Sequence, residues 1–225
     1  HIISACVSLL IITVLSLPFG LKDVISQYIG TLSSYKYATV NAFNIYGAFG
    51  LNWGELTPFL SITGYIFIIL TVVYVFAVYF KGNKNYFYIA AMLSFMTYML
   101  STKMHERYAF AAVVFFLLAY ISMPDRKIFN AFILSVFSQL INTAWVLFVY
   151  SKDINLYYKS SFVIVFSCIN ILILFYMIYA GFALTKKETK ERTRSVQEKE
   201  VFYAFTSRKM HRLTKKDCIL MLLIT

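Results

Sequence analysis

Six long apolar runs set the class of fold that this chain can adopt. Each comes near the roughly 20 residues that a helix needs to cross a bilayer. The runs are continuously apolar rather than alternating, which favours helices over a β-barrel. With 60% hydrophobic and 14% charged residues, we predict an all-α, polytopic transmembrane helical bundle of about six spans plus the start of a seventh. The runs are 2–18, 59–80, 86–102, 108–123, 128–150 and 161–184, and the seventh begins at 218.

The distribution of charge predicts the domain organisation. Residues 1–184 hold ten Lys and Arg against five Asp and Glu, whereas the much shorter 185–225 holds eleven against five. We therefore predict a transmembrane region over 1–184, a basic cytoplasmic linker over 185–217 and a further transmembrane helix starting in 218–225. Cations retained on the cytoplasmic side explain the net charge of +11, so no nucleic-acid partner is predicted.

The three cysteines are isolated in apolar runs and form no metal-binding spacing. We predict no metal site and no cofactor, with a divalent cation left open. Both ends of the sequence fall inside apolar runs, so we expect an internal piece of a longer protein.

The linkers between the apolar runs predict an orientation. If the basic tail is cytoplasmic, the short basic linkers 81–85 and 124–127 are cytoplasmic too, as the positive-inside rule requires. Segments 19–58 and 103–107 then lie together on the outer face. We predict a multi-pass protein of the plasma (cytoplasmic) membrane with its active face outside.

Segment 19–58 is too long for a simple turn. Its first part, KDVISQYIGTLSSY, has apolar residues at helical spacing and Asp23 as a candidate N-cap, which predicts a helix lying in the membrane interface. In the following ATVNAFNIYGAFGLNW, Asn41 and Asn44 are three apart and are predicted to share one helix face. Trp53 and the nearby tyrosines are typical of an interfacial aromatic belt.

The stretch KMHERY, residues 103–108, interrupts a run that is otherwise free of charge from 86 to 123. If it is helical, Lys103 and Arg107 share a face, and Arg offers a planar fork and Lys a point charge for phosphate. His105 can donate a hydrogen bond to an anion or move a proton. Glu106 can fix a cation or accept a sugar hydroxyl. The alternative is a solvated loop with ordinary end-of-helix cations.

Two further polar residues lie inside the run 128–150. Gln139 and Asn142 are three apart, and we predict that they make hydrogen bonds between helices rather than bind a ligand.

ATVNAFNIYGAFGLNW, followed by a pair of apolar runs and then STKMHERYAF, resembles the bacterial membrane glycosyltransferases of the GT-C superfamily. The likeness is greatest to mannosyltransferases of the dolichyl-phosphate-mannose type and of glycosylphosphatidylinositol-anchor assembly. KMHERY is also similar to an outer loop of the glucosyltransferases of N-glycan assembly that use a lipid-phosphate glucose. The resemblance covers roughly residues 20–184.

The resemblance implies an enzyme that passes one hexose, mannose by the nearest likeness, from a polyprenyl-phosphate carrier to an outer-face acceptor. That acceptor is a glycan, a lipid or a protein. Lys103, His105 and Arg107 match positions expected near the carrier phosphate, and Glu106 would orient them or touch the sugar. The remaining substrate-binding candidates are Tyr108, Asn41 and Asn44. The family's presumed base is an Asp in an upstream outer loop that this sequence does not contain. No catalytic residue is therefore assigned, and this piece is expected to be inactive alone.

Two other functions use the same features. A transporter or flippase of a lipid-linked sugar would need the phosphate-binding cations but no base, and broken helices would favour it. A membrane scaffold or sensor would use the basic tail on anionic lipid, but that leaves KMHERY unexplained.

Overall fold

The computed structural model describes residues 2–150 and 160–211. The chain is about 80% helical, which confirms the predicted helical class. Two strands of two residues each, β1 (Thr39–Val40) and β2 (Met104–His105), form the regular sheet structure in the described part. The helices are α1 (Ile2–Ser16), α2 (Leu21–Ser34), α3 (Ile45–Ala48), α4 (Pro58–Phe80), α5 (Tyr86–Leu100), α6 (Phe110–Ser122), α7 (Arg126–Tyr150) and α8 (Ser161–His211).

Three helices are long and apolar enough to cross a membrane, namely α4, the part of α7 over Arg126–Val149 and the part of α8 over Ser161–Lys186. The count rises to four if α1 and α2, which meet at a bend of 102°, are taken as one broken span. α5 and α6 have 15 and 13 residues. They rise about 20–23 Å at 1.5 Å per residue, short of a hydrocarbon core of roughly 30 Å. The six-span count therefore stays a prediction.

The start of the amphipathic helix differs from the expectation, whereas the apolar run 161–184 corresponds to the candidate span Ser161–Lys186. α2 begins after Gly20, whose φ of 79° suits glycine, so Asp23 lies in the first turn and is not the N-cap. α8 has no break at residue 184 and continues to His211, through much of the predicted linker. The predicted helix from residue 218 lies outside the described residues.

The chain divides into two compact units. The first contains His1–Ile68, Thr97–Tyr108 and Gln139–Ile171, and the second contains Ile69–Met96, Ala109–Ser138 and Leu172–Thr225. Within the second unit, the Tyr88 hydroxyl donates to the Met177 carbonyl at 2.6 Å. The Asn85 side-chain amide donates to the Ala119 carbonyl at 2.9 Å. These buried bonds tie α5 to α8 and to α6 in that unit.

Within the first unit, buried asparagines hold the segment before α3 against the long helices. The Phe43 carbonyl accepts a bond of 2.8 Å from the Asn170 amide of α8, and the Phe43 N–H donates to the Tyr98 hydroxyl at 3.0 Å. Asn142 of α7 bonds the same hydroxyl at 2.6 Å, as expected for a polar group between helices. Gln139 instead donates along its own helix to Thr143 at 2.7 Å.

Candidate functional site

KMHERY adopts a short strand followed by a 3₁₀ turn, so the helical face expected for Lys103 and Arg107 is wrong. β2 pairs in parallel with β1, with Thr39 opposite Met104 and Val40 opposite His105. The Lys103 N–H donates to the Ala38 carbonyl at 2.8 Å. Because these backbone groups bond to a distant segment, they are not available for the i to i−4 bonds of a helix.

A third segment pairs with the other edge of β1. The Ala38 N–H donates to the Gly54 carbonyl at 2.8 Å, and the Trp53 N–H donates to the Thr39 carbonyl at 2.9 Å. Residues 36–41 therefore lie between 52–56 on one side and 103–105 on the other. We call these three segments the loop sheet. It belongs entirely to the first unit.

The prediction that Asn41 and Asn44 share one helix face is wrong, because the chain turns sharply between them. Asn41 has a positive φ of 59°, and its Oδ1 accepts a bond of 2.7 Å from the Trp53 indole. Asn44 is fully buried and caps α3 by accepting from the N–H groups of Tyr46 and Gly47. Its amide nitrogen donates to the Tyr98 carbonyl at 3.4 Å. Both ends of the Asn44 side chain are thus engaged inside the protein.

The loop sheet concentrates unusual backbone conformations. Asn41, Trp53 and Lys103 are the three non-glycine residues with positive φ in the described part of the chain, and all three lie in the loop sheet. A non-glycine residue in this region costs of order 1–3 kcal/mol and persists only where its surroundings hold it there. Such residues cluster at functional sites, so the loop sheet is the first place to look for one.

His105 sits between two tyrosine rings with one nitrogen unused. Its ring makes edge contacts with Tyr35 at 5.1 Å and with Tyr108 at 5.4 Å between centroids. Its Nε2 is buried and has no hydrogen-bond partner among the described residues. Burial lowers the pKa of His105 below its usual 6.5, Glu106 raises it, and Arg107 lowers it further. The imidazole is therefore neutral at pH 7, and its buried Nε2 is a polar atom whose hydrogen-bonding capacity is not used by the described residues.

The charged neighbours of His105 are accessible. The Arg107 side chain is exposed, with its guanidinium carbon 5.9 Å from the centre of the Tyr108 ring. Lys103 and Glu106 are half-buried. Across the residues that the structure describes, Glu106 forms no ion pair with either cation, so the expected role in fixing a cation is not seen there. The site thus brings together Lys103, His105, Glu106, Arg107 and Tyr108. Asn41, the residue after β1, joins them through an isolated backbone bridge to His105.

Two elements of the site were missed from the sequence. One is Tyr35, the residue that follows α2 and contacts His105. The other is a cavity of about 410 Å³ lined by α3, the loop after it and the first half of α4, with Ile45, Phe49, Phe59 and Phe67 among its walls. Tyr35 gave no sequence signal because it is far from His105 in the chain, and the cavity gave none because its shape depends on how α3 and α4 pack.

No family model, curated protein or solved structure matches this chain. In the described residues no group of three or more His, Cys, Asp or Glu side chains is placed to hold a metal ion.

Proposed function

We propose that this chain is part of a membrane glycosyltransferase that uses a polyprenyl-phosphate hexose, with KMHERY binding the carrier phosphate. The observation that carries this function is the buried Nε2 of His105, which has no partner in the part of the chain that the structure describes, with Lys103 two residues before it and Arg107 two residues after. A buried polar nitrogen without a partner costs free energy, and in the tautomer that carries the proton on Nε2 a bound anion would recover it. A phosphate oxygen is the natural acceptor between two cations.

The chemistry of a leaving phosphate fits these groups. Negative charge develops on the carrier phosphate as its bond to the sugar breaks, and fixed cations in a partly dry site stabilise that charge better than water does. The exposed Arg107 offers two parallel N–H bonds, whereas Lys103 adds a point charge from a fixed backbone. In this proposal the chain binds the leaving phosphate, and none of its residues is assigned as the catalytic base.

The apolar cavity supports a sugar-carrying substrate that has a hydrocarbon chain. Of its lining residues, Tyr46 and Thr63 carry hydroxyls and the others are apolar. The Tyr46 hydroxyl is directed away to the Leu100 carbonyl at 3.0 Å, and burial raises the pKa of Tyr46 to about 12, so it stays a donor. Gly64, next to Thr63, lies against Thr102, where a Cβ would be 3.1 Å from that side chain. A residue beside the cavity thus packs against Thr102, the residue before KMHERY, which supports a lipid whose tail and head occupy these two neighbouring places.

The remaining features follow from the same function. The chain would have about six spans in the plasma membrane, with the loop sheet on the outer face, where a lipid carrier presents its head. The hexose is mannose by the nearest resemblance, and the acceptor is a glycan, a lipid or a protein.

Binding of a radiolabelled polyprenyl-phosphate mannose to the protein in phospholipid nanodiscs tests this function. We expect saturable binding that falls at least tenfold in His105→Ala and in Arg107→Ala. Arg126→Ala is the matched control, because Arg126 is an exposed arginine at the start of α7, and it should bind as wild type does. Equal binding by all four proteins would contradict the function.

The flippase remains the second candidate because of one observation, the 102° bend between α1 and α2. Discontinuous helices are typical of transporters. Reconstitution in liposomes separates the two. A transferase keeps the labelled lipid in its leaflet and, once a segment carrying a catalytic base is supplied, transfers the sugar to an added acceptor. A flippase instead moves the intact labelled lipid across the bilayer.

A further inference from the structure

The edge of the loop sheet opposite KMHERY carries two aromatic rings and a carboxylate. The rings of Tyr37 and Trp53 are 5.1 Å apart between centroids and meet edge to face. Tyr37 is 37% exposed, Trp53 is half-buried and Glu55 is exposed. These three side chains have no part in the phosphate site described above.

The backbone pairing places Glu55 beside Tyr37. The Leu56 N–H donates to the Lys36 carbonyl at 2.7 Å and the Ala38 N–H to the Gly54 carbonyl at 2.8 Å, so these bonds flank the pair of Tyr37 and Glu55. In such a pair of antiparallel strands the two side chains lie on the same face, with Cα atoms about 4.5 Å apart. Tyr37 therefore lies directly across from Glu55 and contacts Trp53, two residues earlier in the same neighbouring segment.

The indole of Trp53 is held in place rather than left to find the membrane interface. Its Nε1 donates to Asn41 Oδ1 at 2.7 Å, and the Asn41 N–H in turn donates to Asn52 Oδ1 at 2.8 Å. Trp53 also keeps a positive φ of 57°, which is unfavourable for a bulky residue. An interfacial belt needs neither a locked indole nor a strained backbone, since its aromatic rings only have to reach the headgroups.

The carboxylate decides the chemistry of the ligand. Glu55 has no hydrogen-bond or ion-pair partner within the described ranges, so its oxygens can accept bonds from a ligand. An ionised carboxylate accepts but does not donate, which favours hydroxyl groups and disfavours phosphate. A pyranose ring offers a face of C–H groups to the negative face of an aromatic ring and a rim of hydroxyl donors to the carboxylate. Two rings meeting edge to face do not surround a cation, as a cage for an ammonium group would.

The geometry points to a carbohydrate subsite at Tyr37, Trp53 and Glu55 that binds a neutral hexopyranose ring, separate from the phosphate site. The two sites lie on opposite sides of residues 36–41, about two inter-strand spacings or 10 Å apart. Where the proposed function holds, this subsite takes a sugar of the acceptor, and that assignment alone rests on the proposed function. Sugar binding at Tyr37, Trp53 and Glu55 does not rest on it.

Fluorescence of Trp53 tests the subsite directly. The chain has two tryptophans, and Trp145 stacks on Phe162 at 4.1 Å, a contact that Trp145→Phe preserves. We titrate methyl mannopyranoside and methyl glucopyranoside into this single-tryptophan protein. The protein is held in phospholipid nanodiscs that are free of glycoside detergents. We expect at least one of them to give a saturable change in emission and to protect Trp53 from quenching by acrylamide. Calorimetric titration of the wild-type protein gives the same affinity without relying on the variant.

The variants separate ring stacking from carboxylate bonding. Tyr37→Phe keeps the ring and should bind as before, whereas Tyr37→Leu should weaken binding up to about tenfold. Glu55→Gln keeps the shape and should weaken it by about tenfold. Tyr65→Leu, at a tyrosine of α4 that is 68% exposed, is the matched control and should have no effect.

Three results would overturn the subsite. They are no saturable response to either sugar, a response to tetramethylammonium in place of sugar, or emission that follows lipid composition alone. Arg107→Ala keeps the proposed function and the subsite distinguishable. It should lower carrier-phosphate binding at least tenfold and leave the sugar titration unchanged, so one can fail while the other stands.

Discussion

Asn142, in the middle of the long apolar helix α7, donates a hydrogen bond of 2.7 Å to the backbone carbonyl of Asn41 in the loop sheet. This holds for the amide orientation that satisfies both of its ends. In that orientation its oxygen accepts from the Tyr98 hydroxyl at 2.6 Å and from the Phe43 N–H at 3.0 Å. One buried side chain thus serves three groups of two other segments. The position of the loop sheet depends on a residue that no ligand needs to touch.

Replacing Asn142 with leucine should therefore destabilise the first unit strongly. The Asn41 carbonyl would lose its partner in a buried place, at a cost of about 1–3 kcal/mol in the free energy of unfolding. Denaturant unfolding in nanodiscs, followed by Trp53 emission, measures this. Gln139→Leu is the control on the same helix, because the buried Gln139 Oε1 already has no partner among the residues that the structure describes. An equal loss in both variants would show that the network to Asn41 is not what matters.

Replacing Lys103 with glycine should remove a charge without harming the fold. Lys103 has a φ of 62°, which glycine adopts without the steric cost that a side chain incurs. We expect unchanged or slightly higher thermal stability together with weaker binding of the phosphate carrier. Lys103→Ala should lose the same binding while keeping the strained backbone. Loss of folding in the glycine variant alone would contradict this account.

Carrier binding should depend on pH through His105. Its pKa is lowered in the free protein, chiefly by burial, and a bound phosphate would raise it. Binding then takes up a proton, so affinity should increase as pH falls from the pKa of the complex to that of the free protein, by at most tenfold per pH unit.

A sugar phosphodiester is the suitable probe, because it has no titration of its own near neutral pH. The dependence of binding affinity on pH should vanish in the His105→Gln variant. A slope that persists in that variant would assign the proton to another group.

Filling the apolar cavity should distinguish the tail of the carrier from its head. Leu60→Trp places a large ring in the space of about 410 Å³. We expect weaker binding of a long-chain polyprenyl phosphate and unchanged binding of a short-chain analogue with the same head, measured by competition. If both analogues lose affinity equally, the cavity is not where the chain lies.

Continuous apolar runs predicted the long helices well. The runs 59–80 and 128–150 correspond closely to α4 and α7, and 161 is the first residue of α8, because a membrane-spanning helix needs only local composition. The predicted order of membrane crossings also placed 19–58 and KMHERY on the same side, as one candidate site. The contact of β1 with β2 supports that grouping, though not the outer face that was inferred with it.

The conformation of the site could not be predicted in the same way. The helical readings of KMHERY and of Asn41 with Asn44 failed because those residues are fixed by distant partners, Ala38 for Lys103 and Trp53 for Asn41. A two-residue strand leaves no periodicity, and a positive φ at lysine or tryptophan contradicts local preference. Such features come from tertiary contacts that no short window of sequence contains.

The pairing of Thr39 with Met104 joins residues that are 65 positions apart, with α3, α4 and α5 between them. Closing so long a loop gains nothing until its far end has been synthesised and the intervening helices are in place. The site is therefore a late product of biogenesis. A substitution that slows the formation of α5 would delay the appearance of a binding-competent protein in the cell, even though every residue of the site remained unchanged.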